Sequence, residues 1–267
     1  MKKALLFVSV FIVGQLFVSS VGVAVFSLIQ SLSGSTADGS DLLSDPYVLS
    51  LLSLVADVVV LAIAYFLLRT YRKEPFLHCL RRWVGGRPLV LILVTSAVCM
   101  WAVNLVCEAI DIPDMLENQF LSLSHNFLGI FLMAVAGPFA EEYVFRYCIE
   151  GSLLRSKRWE RHAVWISALL FGLVHFNPAQ IFAAFLSGLF LGWLYRRTRS
   201  LWPPLLCHVL NNSMAVMQMQ LFPPDTTTRQ LIGSDTAYQA VLIATVLMGT
   251  ALLIGLFRKL PREESFS

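Results

Sequence analysis

The sequence predicts an all-α membrane protein, a polytopic helix bundle with about eight transmembrane helices. Hydrophobic residues make up 57% and charged residues 14% of the 267 residues, and the mean hydropathy is +0.70. A soluble domain has about 45–50% apolar and about 25% charged residues, so this composition excludes that class. The apolar residues also form long runs, and basic residues cluster between alternate runs. These observations together indicate that lipid is the solvent of the chain.

The apolar runs are long enough to cross a bilayer, which takes about 20 residues in a helix. The continuous candidates, in chain order, are Ala4–Leu32, Tyr47–Leu68, Leu89–Ile110, Leu121–Gly151, Leu201–Phe222 and Ala237–Phe257. A further stretch, Ala163–Tyr195, is broken at Asn177-Pro178, and we interpret it as a helical hairpin with a short first arm. Lys2 and Lys3 before the first run would also suit a cleaved signal peptide, but the length of the run favours a retained helix.

The charges between the spans give the bundle a direction. Nearly all of the 20 Lys and Arg residues lie at the termini or in alternate loops. The other loops are mainly acidic, with Asp38, Asp41, Asp45, Asp111, Asp114, Glu117, Asp225 and Asp235. The positive-inside rule therefore predicts that both termini and the basic loops are cytoplasmic, in a multi-pass protein of the plasma membrane. The chain has neither a basic block suited to nucleic acid nor a paired cysteine motif.

One apolar run carries charges at a depth where lipid makes each of them costly, by about 2.5–3.5 kcal/mol. Within this run, Leu121–Gly151, the stretch GPFAEEYVFR extends from Gly137 to Arg146. Glu142 and Arg146 are four residues apart, so they can pair on one helix face. A structural ion pair would explain Glu142 and Arg146 but leaves Glu141 without a cation. A carboxylate without a cation can act as a general base. Pro138 removes a helix hydrogen bond and should bend the helix beside the glutamates.

Two histidines and an amide lie at overlapping depths on other predicted helices. His175 follows Phe171 by four residues, and His208 precedes Asn212 by four, so each pair shares a helix face. A single histidine in a membrane is more often a hydrogen-bonded packing residue than a functional group. Together with the two glutamates, however, these residues predict one functional site.

The three patterns together resemble the signature motifs of the CPBP family of intramembrane endopeptidases (CAAX protease and bacteriocin-processing, also called Abi or type II CAAX prenyl endopeptidase-like). They are Glu141-Glu142-x-x-x-Arg146, Phe171-x-x-x-His175 and His208-x-x-x-Asn212. The resemblance covers roughly residues 128–217. We accordingly divide the chain into N-terminal transmembrane helices (residues 1–120), a CPBP-type helical core (121–222), and a last transmembrane helix with its cytoplasmic tail (223–267).

The resemblance implies that the protein hydrolyses a peptide bond within the membrane by a glutamate-activated water. It implies that Glu141 and His175 hold and deprotonate the water, while His208 and Asn212 form the oxyanion hole. The residues that would shape the site are Glu142, Arg146 and Phe171. The implied substrate is a peptide or protein in or at the bilayer, with a prenylated C-terminal tail as one candidate. We expect the site to open toward the cytoplasmic half of the membrane.

The sequence favours no cofactor, although zinc is an alternative. Glu141, His175 and His208 are admissible zinc ligands, and three such ligands plus water are typical of a catalytic zinc site. Against zinc, Arg146 would oppose a dication, and none of the five histidines begins a His-Glu-x-x-His motif. A metal-free glutamic mechanism is therefore favoured over a metallopeptidase.

Two other functional classes stay open at this point. A proton-coupled transporter could use Asp57, in the middle of the second span, as a relay group, although a hydrogen bond to a neighbouring helix is the simpler interpretation of Asp57. A non-catalytic scaffold or immunity protein could retain the family shell. Asn212 on the same face as His208 favours hydrolysis, because transport needs no oxyanion donors.

Overall fold

The computed structural model describes residues 1–33, 45–73, 78, 80, 83, 85–223 and 226–260. These residues form helices and their connections, and the same ranges contain no β-strand. The predicted all-α fold class is thereby confirmed. The helices, in chain order, are α1 (Lys2–Ser33), α2 (Pro46–Arg72), α3 (Gly86–Ala109), α4 (Glu117–Ser124), α5 (Phe127–Leu154), α6 (Ala163–Leu173), α7 (Pro178–Thr198), α8 (Trp202–Leu221), α9 (Thr228–Ile232) and α10 (Asp235–Lys259).

Within the described ranges, 6 helices are long and apolar enough to cross a membrane, namely α1, α2, α3, α5, α7 and α10. Helix α6 has 11 residues, which at ~1.5 Å per residue spans about half of the hydrocarbon thickness. Helix α8 is long enough, but its histidine, asparagines and glutamines make it more polar than the others. The count of eight crossings therefore stays a prediction.

Helix α5 carries the charged run, and its backbone is irregular on both sides of the glutamates. Leu132–Ala136 and Tyr143–Glu150 have π-helical hydrogen bonding, and Gly137–Glu142 between them is α-helical. Because Pro138 has no amide hydrogen, it cannot complete the hydrogen-bond pattern of the preceding turn. A π-helical stretch, a feature common at functional sites, ends two residues before Pro138, and the bend expected at Pro138 stays a prediction.

Helices α6 and α7 form the predicted hairpin. Proline at the first position of α7 costs little, because the first amide groups of a helix have no partner inside it. Asn177 in the turn is fully buried. Its side chain donates to Asp114 at 2.7 Å and accepts from the backbone amide of Met115 at 3.1 Å. These bonds fix the tip of the hairpin to the segment that precedes α4.

The core lies around α5, which helices cover on several sides. Helix α1 packs on α2 and on the second half of α5, while α8 packs on α3, α7 and the first half of α5. Helices α3 and α10 pack on each other. Phe7 and Phe11 of α1 belong to the same buried cluster as Tyr143 of α5 and Phe171 of α6. Protein therefore surrounds the charged run of α5 on several sides.

Candidate active site

A cavity of about 910 Å³ lies in the bundle, with walls from α2, α3, α5, α6, α7 and α8. Four residues predicted to carry the chemistry line this one cavity, namely Glu141, His175, His208 and Asn212. Phe171 lines it as well. The structure therefore brings together side chains from α5, α8 and the α6–α7 hairpin that are up to 71 positions apart in sequence, which is the distance from Glu141 to Asn212.

Behind the cavity wall, Glu142 and Arg146 form the ion pair that their spacing predicts. Arg146 Nε lies 3.1 Å from Glu142 Oε2, and both side chains are 0% exposed. The other carboxylate oxygen of Glu142 accepts a hydrogen bond from His208 Nδ1 at 3.0 Å. The Arg146 guanidinium also lies 4.4 Å from the centre of the Phe171 ring, in cation–π contact. These contacts fix the imidazole of His208 from behind.

Glu141 is on the cavity side of the same helix and is 23% exposed. Its Oε2 lies 3.6 Å from His208 Nε2, which is longer than a hydrogen bond. The imidazole of His208 is thus placed between two glutamates, one buried behind it and one facing the cavity. This contact places Glu141 beside His208, and the joint role of Glu141 and His175 that the resemblance implies stays a prediction.

His175 lies in the turn after α6, and the prediction that it is inside a helix was wrong. Its Nδ1 is 2.7 Å from the carbonyl oxygen of Phe171, one of the last carbonyls of α6. Because a carbonyl oxygen only accepts, Nδ1 carries the hydrogen in this bond, and Nε2 of the neutral ring keeps a lone pair. The Phe171 ring packs edge-on against His175 and His208, with centroid distances of 5.0 and 5.7 Å. Phe171 thus orients both imidazoles.

Asn212 connects α8 to the first π-helical stretch of α5. Its Nδ2 donates to the carbonyl oxygen of Met133 at 2.9 Å, and its Oδ1 accepts from Asn211 Nδ2 at 3.3 Å. An asparagine amide has two N–H groups, and Met133 takes one of them. The π-helical backbone therefore has a local role, because it supplies the carbonyl that holds Asn212 on the cavity wall.

Glu150 was not predicted from the sequence to be part of this region. It is 0% exposed, and in the described part of the chain neither of its carboxyl oxygens has a hydrogen-bond partner. Gly192 of α7 leaves the space for it, since a Cβ there would lie 2.6 Å from Glu150 Oε2. Its position four residues after Arg146, which itself follows Glu142 by four, is the signal that could have identified it.

Asp57 of α2 also lines the cavity and is 6% exposed. Its Oδ1 accepts a hydrogen bond from Gln15 Nε2 of α1 at 2.7 Å. This contact confirms the prediction of a hydrogen bond to a neighbouring helix. The sequence did not predict that Asp57 shares a cavity with Glu141.

The lining of the cavity extends to the face of the acidic loops, and the expected opening toward the cytoplasmic half of the membrane stays a prediction. Its outer wall includes the exposed residues Asp114, Glu117, Phe222 and Pro223. On the other side the wall reaches no further than Leu191 of α7 and Cys207 and His208 near the start of α8. The prediction used the depth of each residue along its helix. That depth does not determine the end at which a cavity is open.

The donor set does not fit a zinc site in this geometry. Among the residues that the structure describes, no group of three or more His, Cys, Asp or Glu side chains converges closely enough to hold a metal ion. Nδ1 of each candidate histidine is engaged, since His208 Nδ1 bonds to Glu142 and His175 Nδ1 bonds to the Phe171 carbonyl, which leaves Nε2 of each ring as the nitrogen that could bind a metal ion.

Residues 123–214 match the model of a known family, described as type II CAAX prenyl endopeptidase Rce1-like. A putative membrane peptidase, YdiL of Bacillus subtilis (strain 168), is 33% identical over 96 residues, which cover 36% of this chain and 38% of that protein. The membrane-embedded CAAX protease MroQ of Staphylococcus aureus (strain USA300) is 34% identical over 101 residues, which cover 36% of this chain and 40% of that protein. The similarity thus spans less than half the length of either relative. No solved structure matches the chain.

The matched segment contains every residue of the three motifs and coincides with the helices that hold the charged run, the hairpin and Asn212. Family similarity and the convergence of the motifs on one cavity are independent observations, and they agree. Residues 123–214 of this chain are therefore similar to the Rce1-like family of type II CAAX prenyl endopeptidases, which agrees with the resemblance that the motifs predict.

Proposed function

We propose that the protein is a membrane endopeptidase that hydrolyses a peptide bond of a membrane-associated protein or peptide through a glutamate-activated water. The observation that carries the proposal is the convergence of Glu141, His175, His208 and Asn212 on one cavity. Hydrolysis needs a base and oxyanion donors within reach of the same substrate carbonyl. A transporter or a scaffold has no need for this combination.

Glu141 and His175 are the groups that activate water in this proposal. Glu141 faces the cavity and lacks the guanidinium partner of Glu142, so its carboxylate is available to take a proton. His175 presents the lone pair of Nε2, because Nδ1 donates to the Phe171 carbonyl. As the water oxygen bonds to the substrate carbonyl carbon, Glu141 accepts the proton. The same proton then passes to the amide nitrogen as the C–N bond breaks.

His208 and Asn212 stabilise the oxyanion that forms on the substrate carbonyl. The bond from His208 Nδ1 to Glu142 leaves Nε2 directed away from that carboxylate, toward Glu141 and the cavity. When Nε2 also donates, the ring is an imidazolium, whose positive charge complements an oxyanion better than a neutral donor does. The second N–H of Asn212, one helical turn further on, is the other donor.

The substrate in this proposal lies in or at the bilayer of the plasma membrane. A prenylated C-terminal tail is one candidate because the family description names prenyl endopeptidases. A matched pair of peptides, one prenylated and one not, tests that detail once a cleaved sequence is known.

Substitution of Glu141 by glutamine tests the catalytic proposal. A host that lacks the gene is supplied with the wild-type chain, Glu141→Gln, or the control Asp235→Asn outside the cavity, and peptide termini in its membranes are compared. We expect at least one terminus that depends on Glu141 and is unaffected in the control, and a loss of about 10²–10⁴ in rate with the purified variant. Wild-type turnover in Glu141→Gln, at equal folding and insertion, overturns the mechanism.

The metal question has a separate test. Under the glutamic mechanism, activity of the purified protein survives exhaustive chelation, and added zinc does not increase it. Loss of activity on chelation, followed by recovery with zinc alone, would establish the metallopeptidase alternative.

A further inference from the structure

The open end of the cavity lies on the face of the bundle that carries few basic residues. Helices α3 and α8 end at this face, and helices α5 and α10 begin there. The loops at the opposite face carry Arg155, Lys157 and Arg158 after α5, and Arg199 after α7. The positive-inside rule places the basic loops in the cytoplasm. The mouth of the cavity then faces the extracytoplasmic side.

The wall of the cavity is acidic as well. Its described lining contains Asp57, Glu108, Asp114, Glu117 and Glu141, and no lysine or arginine. Arg229 is the basic residue that follows the mouth residues Phe222 and Pro223 in sequence. Its Cζ lies 4.9 Å from the centre of the Tyr238 ring, and its Nε lies 3.7 Å from Asp235 Oδ1. Walls of low dielectric constant focus the field of uncompensated charges and raise the local concentration of ligands of opposite sign.

Asp57 and Glu141 connect this charge to the proposed catalytic site. Both side chains line the same cavity. The hydrogen bond that Asp57 accepts comes from Gln15, which is neutral. Two carboxylates that share a cavity repel each other, and a positive charge between them relieves that repulsion. A bound substrate with a basic side chain can supply such a charge.

We propose that the substrate enters the cavity from the extracytoplasmic face, and that it is a peptide with basic residues close to the cleaved bond. The chemistry rests on the proposed function, but the side of entry and the charge of the ligand rest on the cavity alone. Asp57 is the specificity-determining residue in this proposal, because it is a buried acid of the cavity lining that the hydrolytic mechanism does not use.

The side of entry is tested by cysteine labelling, which does not depend on activity. The five native cysteines are replaced by alanine, and a single cysteine is introduced either at Glu117 at the mouth or at Lys157 in a basic loop. With a membrane-impermeant maleimide and intact cells, we expect Glu117→Cys to react and Lys157→Cys to react only after permeabilisation. The reverse pattern, or reaction of both variants in intact cells, overturns the proposed side of entry and leaves the hydrolytic function untouched.

The charge of the substrate is tested with three fluorogenic peptides that share one apolar core and carry flanking lysines, glutamines or glutamates. We expect the lysine peptide to exceed the glutamate peptide by about tenfold in kcat/KM, which corresponds to ~1.4 kcal/mol, with a smaller difference at high salt. Asp57→Asn should reduce the ratio of lysine to glutamine peptide, whereas Asp235→Asn, an acid on the same face outside the cavity, should not.

A binding experiment separates this proposal from the catalytic one. The same peptides are titrated into Glu141→Gln, so that a preference for lysine is visible even if no peptide is cleaved. Binding of the lysine peptide without cleavage by the wild-type chain would support the proposed positive charge of the ligand and would count against the proposed hydrolytic function. Equal binding of the lysine and glutamate peptides, or a preference for glutamate, overturns the substrate class.

Discussion

Arg146 positions the two histidines of the site indirectly, through Glu142 and Phe171. It pairs with Glu142, which accepts the hydrogen bond from His208, and it stacks on Phe171, which packs against His175. Both members of the ion pair are fully buried, so each depends on the other for compensation of its charge. Breaking such a pair is costly because the remaining charge has no solvent to stabilise it.

Arg146→Ala should therefore lower the free energy of unfolding by about 3–5 kcal/mol, together with the activity. The control is Arg229→Ala, which removes an ion-pair partner that is 49% exposed, opposite an Asp235 that is 81% exposed. Exposed pairs are worth about 0–1 kcal/mol. Thermal unfolding of both variants in detergent provides the comparison, and shifts of equal size in the two variants would contradict the assigned role.

Asn212→Ala should reduce kcat by about 10²–10³, the usual cost of one oxyanion donor. The effect on KM should be small, because the donor acts on charge that exists only in the transition state. The control is Gln218→Ala, farther along α8, whose side chain also lines the cavity but belongs to none of the motifs. A loss confined to KM, or an equal loss in both variants, would contradict the oxyanion role.

The parts of the site differ in how well the sequence predicts them. The spacing of Glu142 and Arg146 predicts their contact because both lie on one helix, where geometry fixes which side chains meet. Asn177-Pro178 predicts the hairpin for the same local reason. His175 was placed wrongly because the end of α6 depends on how the turn packs. Glu150 was missed because its space is provided by Gly192, on a helix whose neighbours no local pattern reveals.

The contact between α5 and α7 depends on a glycine. A methyl group at Gly192 would lie 2.6 Å from Glu150 Oε2 and 3.2 Å from Val164 Cγ1. The spacing of Gly188 and Gly192, four residues apart, is typical of close helix packing. Here the absent side chain at Gly192 accommodates a buried carboxyl group from the neighbouring helix.

Gly192→Ala should therefore force the buried carboxyl group of Glu150 to shift and destabilise the fold by about 1 kcal/mol, the lower end of the cost of overpacking. Gly255→Ala on α10 is the matched control, because no atom lies within 4 Å of the Cβ that it would add. There, alanine should leave stability unchanged or raise it by about 0.5–1 kcal/mol through helix propensity. The midpoints of thermal unfolding give both values, and a Gly192→Ala variant as stable as the wild type would show that α7 is free to move away.

At the scale of the whole molecule, the N-terminal helices and the motif-bearing segment share one core. Phe11 of α1 packs edge-on against Phe145 of α5 at 5.2 Å, and Phe145 packs against Phe171 of α6 at 5.2 Å. Phe171 in turn contacts both site histidines. A continuous series of aromatic contacts therefore runs from the first helix to the cavity wall.

Phe11→Ala should lower stability by about 3 kcal/mol, the lower end of the range for a buried phenylalanine, and should also reduce kcat, although Phe11 does not line the cavity. The control is Phe17→Ala on the same helix, where the ring is 64% exposed to lipid. Because lipid replaces the contacts of an exposed ring, both properties should stay close to those of the wild type. Unfolding in detergent and single-turnover cleavage are measured on each variant. If Phe11→Ala lost stability but kept full activity in the folded fraction, the first helix would support the bundle without orienting the site.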